Sequence, residues 1–241
     1  MKVIHKIVRI FFPIITLALA ALATALAIPP SATAQTASPG NQPQFFITWQ
    51  SRTYVPPAFS GKILPTANSL IAASFELIDA GKPADLSKKA VYWYVNNNFL
   101  QGGDGLQHVQ FRAPDAVGAT IDLRIEVPNY KGASPLKTIE IPVVAPEAVI
   151  EAPFPNHEFS ISPVQFVGRP YFFNVRGASG LNLGWTVNGQ TPAAAENPER
   201  LNVGFTANGV SGPLLTIGLN IQNSANVLES AAKHIELTHK P

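Results

Sequence analysis

"VYWYVNNN" at residues 91–98 and "LGWTVNGQ" at residues 183–190 spell W-x-V-N twice in one chain, as Trp93-Tyr94-Val95-Asn96 and Trp185-Thr186-Val187-Asn188. In each copy the tryptophan shares a face with aliphatic residues two positions away: Val91 and Val95 in the first, Leu183 and Val187 in the second. A period of two is the signature of a strand. A large ring on the inner face of a middle strand fills the space between packed sheets. The Asn-Asn or Asn-Gly that follows tolerates the positive φ of a tight turn. Each copy therefore reads as the centre strand of one β-sandwich, with Trp93 and Trp185 in the two cores.

The landmarks around the two copies keep a constant offset. Trp185 follows Trp93 by 92 residues, Phe205 follows Phe111 by 94 and Gly212 follows Gly118 by 94. In each half a W-x-V-N strand leads to an F-x-A strand, then a glycine, then an alternating strand: Ile121 to Val127 in the first, Leu215 to Ile221 in the second. Phe111 and Phe205 join the tryptophans as expected core residues. A repeat near this length matches one immunoglobulin-type sandwich of about 100 residues.

Strand signals dominate the rest. In "SLIAASFELID" (69–79) Ile71, Ala73, Phe75 and Leu77 alternate with Ala72, Ser74 and Glu76; "HVQFRA" (108–113), "ATIDLRIEV" (119–127) and "LKTIEIPVV" (136–144) alternate likewise. Between the halves, "PVVAPEAVIEAPFPNHEFSISP" (142–163) carries five prolines and reads as a stiff linker followed by an edge strand, with the boundary near Ala145 to Ile150. "YVPPAFSGKILPT" (54–66) has the composition of another proline-guarded edge strand. The expected organisation is a leader over 1–34, a polar tether and first strand over 35–50, and two sandwiches over 51–145 and 146–241.

"YWYVNNN" and "GWTVNGQ", each followed by an F-x-A strand, a glycine and an alternating strand, resemble the tandem Ig-like and PKD-like domains of exported bacterial proteins, over roughly 63–144 and 166–238. The resemblance implies an all-β fold of two tandem antiparallel sandwiches and a role at the cell surface as spacer, adhesive module or part of an assembly. The W-D-x-G-D-G turn of PKD domains is replaced by Asn96-Asn97 and Asn188-Gly189, which favours the general Ig-like label.

The N-terminal segment places Lys2, His5, Lys6 and Arg9 before an apolar run from Ile10 to Ile28, the pattern of an export signal. Ala32-Thr33-Ala34 predicts cleavage before Gln35; the alternative is an uncleaved anchor helix, since the run approaches bilayer-spanning length. There is no cysteine, so neither a disulfide framework nor a lipidated N-terminal cysteine is available. Without Lys2, Lys6 and Arg9 the exported chain carries 14 basic against 15 acidic residues, a charge of −1. That balance lacks the positive field of a nucleic-acid binder.

No catalytic, cofactor or metal site is expected. His108, His157, His234 and His239 are scattered over different segments, and the H-x-E at His234 has no cysteine half to complete a zinc site. Gly177-Ala178-Ser179-Gly180 and Gly209-Val210-Ser211-Gly212 lack the closing glycine of a nucleophile elbow. The "QGGDG" loop (101–105) offers one carboxylate where calcium wants several ligands. If Trp93 points inward, Tyr92 and Tyr94 point outward side by side, as a docking patch for protein or a stacking platform for sugar.

These features predict a non-enzymatic exported envelope protein, an interaction or scaffold module whose partner is a surface protein or a polysaccharide. Three further readings stand beside it: a carbohydrate-binding module using Tyr92 and Tyr94, a pilus- or secretion-associated assembly subunit, and an accessory domain or enzyme of envelope polysaccharide metabolism. Membrane contact would come only through residues 10–28.

Overall fold

A computed structural model of the chain describes residues 42–193, 197–204 and 214–240. The expected leader, Phe205 and Gly212 lie outside the described residues.

The first half folds as β1 (Gln44–Ser51), β2 (Leu70–Asp79), β3 (Lys82–Pro83), β4 (Ala90–Val95), β5 (Asn98–Asp104), β6 (His108–Arg112), β7 (Thr120–Glu126) and β8 (Leu136–Pro142). In one sheet β2 pairs with β1 on one side and with β6 and β3 on the other; the second sheet runs β5-β4-β7-β8. All of these pairs are antiparallel. The inward residues of both sheets form one core that includes Ile71, Phe75, Trp93, Phe111, Leu123 and Ile141.

The second half contributes β9 (Glu147–Glu151), β10 (Glu158–Phe159), β11 (Val164–Tyr171), β12 (Leu181–Val187), β13 (Arg200–Val203), β14 (Leu214–Asn223) and β15 (Asn226–His239). One sheet runs β13-β11-β9 and the other β10-β15-β14-β12. Their pairs are antiparallel except β10 with β15, which is parallel. A second core gathers Phe166, Phe173, Trp185, Leu201, Ile217 and Leu237. The fold is all-β, two Ig-like sandwiches in tandem.

The repeated motif does the same work in each. Trp93 is fully buried and its indole N–H donates to the Leu106 carbonyl at 2.8 Å; Trp185 is buried and donates to the Pro198 carbonyl at 2.8 Å, each time thirteen residues downstream. Asn96 and Asn188 both sit at φ 50°, the left-handed region that asparagine tolerates better than most residues. Each is stitched to the next strand in the same way. The Asp122 N–H donates to Asn96 Oδ1 at 2.9 Å and the Thr216 N–H to Asn188 Oδ1 at 2.9 Å. The asparagine N–H groups in turn donate to the Asp122 and Thr216 carbonyls.

Two expectations change. The first W-x-V-N strand, β4, is interior, but β12 stands at the end of its sheet among the described residues. After Asn96-Asn97 the chain returns as β5, whereas after Asn188-Gly189 only the bridge from Val187 to Gln190 forms before Pro192, which has no N–H to give a ladder. The stretch 54–66 is irregular rather than an edge strand, and β1 takes the edge. Four residues from 54 to 66 are proline or glycine, which weakens a ladder. Its one bridge reaches the other sandwich. The Tyr54 N–H donates to the Phe173 carbonyl and the Phe172 N–H to the Tyr54 carbonyl, both at 2.7 Å. The Tyr54 ring packs against the second core, and Phe59 meets Tyr171 and Phe172 edge-on at 5.6 and 5.9 Å.

Candidate functional site

Tyr92 and Tyr94 alternate with Trp93 on β4, so burying the tryptophan sends them to the opposite face. Cross-strand register supplies their neighbours. Tyr94 stands between Phe99 on β5 and Arg124 on β7, and Tyr92 between Gly102 and Glu126. The pairing of β4 with β5 shifts between Trp93 and Tyr94, leaving Leu100 without an opposite residue. Phe99, paired directly with Tyr94 on the turn side of that shift, shares the outer face, 62% exposed.

The three rings form one cluster. Phe99 lies 5.8 Å from Tyr94 and 6.2 Å from Tyr92, at interplanar angles of 73° and 71°. This is the edge-to-face arrangement that aromatic quadrupoles favour. The Arg124 guanidinium sits 4.1 Å from the Tyr94 ring centre. A Cβ at Gly102 would come within 2.5 Å of the Tyr92 ring, so the glycine lets that ring lie across β5. Tyr92 is 36% exposed while Tyr94 is half-buried beneath its neighbours. The sequence placed the tyrosines outward but missed Phe99, Arg124 and Gly102. The two-residue turn could have located Phe99 opposite Tyr94, and the alternation of β7 could have turned Arg124 outward.

The histidines occupy separate places. His108 is on the outer face of β6, and His157 Nδ1–H donates to the Glu236 carbonyl at 2.9 Å. The His234 ring lies over Gly218, and the His239 ring stands 5.3 Å from Phe159. Among the described residues no three His, Asp or Glu side chains gather to hold a metal. Ser179 falls in a 3₁₀ turn, Ala178–Gly180, and the Gly209–Gly212 stretch lies outside the described residues. Asp104 ends β5, with Gly105 at φ 65° beyond it.

No protein-family model matches the chain, and no curated protein matches it. Among solved structures, three N-terminal domains of the highly immunogenic outer capsid protein Hoc of bacteriophage RB49 align over 82% of this chain and 59% of theirs, at 11% identity and a TM-score of 0.40. The fibronectin(III)-like modules of Clostridium thermocellum CbhA align over 80% of this chain and 93% of theirs, at 9% identity and a TM-score of 0.28. The Yersinia pseudotuberculosis adhesin InvE aligns over 84% and 61%, at 12% identity and a TM-score of 0.26. The assignment to tandem Ig-like sandwiches rests on strand order and register.

Proposed function

We propose that the chain is an exported, non-enzymatic interaction or scaffold protein of the cell envelope, built from two Ig-like units over about 51–145 and 146–241, and that the aromatic face of the first unit contacts a protein partner. The observation that carries this reading is the cluster of Tyr92, Tyr94, Phe99 and Arg124 on a rigid sheet. Aromatic rings and arginine are the side chains enriched at the centres of protein interfaces. Rings held by neighbours and by a strand backbone lose little freedom on binding. A flat sugar platform would need an open ring face, and Arg124 occupies one face of Tyr94. Export rests on the basic and then apolar leader, with cleavage before Gln35.

The test is recovery of envelope proteins by tagged full-length chain, wild type against a Tyr92→Ser/Phe99→Ser double variant. Loss of a defined partner at an unchanged melting temperature supports the face, and equal recovery by both refutes it. Finding Met1 at the N-terminus of the surface-located protein would overturn the cleavage.

A further inference from the structure

On the opposite sheet of the first sandwich, facing away from the core, a depression of about 490 Å³ is lined by residues of β1, β2 and β6, with Gln101 of β5 at its side. The register explains its shape. Two rows cross the sheet: Thr48, Ser74 and His108 in one, Gln50, Ala72 and Gln110 in the next. In both rows the central strand carries a small side chain and the flanking strands carry larger polar ones. The outcome is a slot two strand spacings wide, about 9.5 Å between the flanking backbones.

The chemistry of the slot is neutral and rich in hydrogen-bonding groups. Apart from His108, its polar side chains are amides and hydroxyls; Glu76 and Arg112 stand one row further out, at opposite ends. Thr48 and Ser74 share a hydroxyl contact of 2.7 Å. Gln50, Gln101 and Gln110 make no side-chain hydrogen bond to the described protein, so each amide has both donor and acceptor capacity to offer. One row beyond the slot, opposite Glu76, Phe46 projects from β1 on the same face as Thr48 and Gln50, 57% exposed. An aromatic ring beside a row of uncharged amides and hydroxyls matches a ligand with an apolar C–H face and many hydroxyl groups, and the one carboxylate at that end, Glu76 opposite Phe46, disfavours an anionic one.

We infer that this slot binds a neutral oligosaccharide, with Phe46 stacking on one sugar ring and Gln50, Thr48, His108 and Gln110 hydrogen-bonding the next. Phe46 to Gln50 spans about 13 Å along β1, so the ligand is longer than a single ring. The site is independent of the aromatic face on the other sheet.

Amide chemical shifts of the isotope-labelled full chain, titrated with cellohexaose, maltohexaose and chitohexaose and with an oligogalacturonate as anionic control, test the assignment. Saturable shifts at Thr48, Gln50, Ser74 and Gln110 with at least one neutral hexasaccharide, and none with the anionic one, are expected. Gln50→Ala/Gln110→Ala should weaken that binding about tenfold or more at an unchanged melting temperature, as loss of two hydrogen bonds implies. Phe46→Ala should weaken it independently. Tyr92→Ser/Phe99→Ser should leave it intact, which separates the slot from the proposed protein contact. No shift at these residues with any neutral hexasaccharide, equal binding of the anionic one, or binding indifferent to Gln50, Gln110 and Phe46 would overturn the inference.

Discussion

At Asn96 and Asn188 one side chain does two jobs, accepting the backbone N–H of the neighbouring strand and letting the chain turn at positive φ. Substitution can separate them. Glycine keeps the turn and loses the acceptor, whereas alanine loses both. Asn96→Gly and Asn188→Gly should each cost about 1 kcal/mol, and the alanine variants about 1 kcal/mol more, in chemical denaturation. Equal costs for glycine and alanine would show that the turn conformation contributes nothing. The tryptophans carry more. Trp93→Ala and Trp185→Ala should each cost about 3–5 kcal/mol through lost burial and a cavity, and an unaltered unfolding curve for either would remove its ring from the core account. The sequence made the buried rings legible through their aliphatic neighbours. It did not reveal that each indole N–H is satisfied by a carbonyl thirteen residues away, because that bond depends on where a loop passes beneath the ring.

Between elements, the two tryptophans are packed by different means. Phe75 of β2 meets Trp93 edge-on at 5.5 Å. In the second sandwich Gly168 of β11, 93 residues after Phe75, comes so close that a Cβ there would lie 3.0 Å from the Trp185 ring and 2.9 Å from Leu219. Gly168→Val should therefore overpack the second core and cost about 1–3 kcal/mol or more, while leaving hydrogen exchange in β2 and β7 unchanged. Uniform loss of protection across both sandwiches would contradict that local account. Strands with clean alternation, β2, β7 and β8, were legible because one face is buried and the other wet. The expectation of a strand at 54–66 failed because proline content permits an edge without creating one. Phe99 follows from the two-residue turn, which sets it opposite Tyr94, whereas Gly102 opposite Tyr92 was hidden because a register shift, which no periodicity reports, places it there.

In the whole molecule, Tyr54 ties the two sandwiches through a pair of backbone hydrogen bonds and a ring packed on the second core. Burial pushes its hydroxyl pKa above the ordinary tyrosine value of 10.0; Glu199 adds to the rise and Arg169 partly offsets it. The folded state then holds the proton more tightly than the unfolded chain does. This contribution is fully present below the unfolded value near 10.0 and is lost as pH rises through the higher folded one. Urea unfolding from neutral to strongly alkaline pH should show stability falling above that point, and Tyr54→Phe should flatten the fall. An identical slope in the variant would place the alkaline sensitivity elsewhere.

The central claim, that this tandem acts by contact through its first sandwich, is tested most directly by a photo-crosslinking amino acid placed in living cells at Phe99 and, for comparison, at Gly184 on the corresponding strand region of the second sandwich. One discrete adduct from position 99, absent from position 184 and lost on Tyr92→Ser, is the predicted result. No adduct from 99, or the same adducts from both positions, would contradict it.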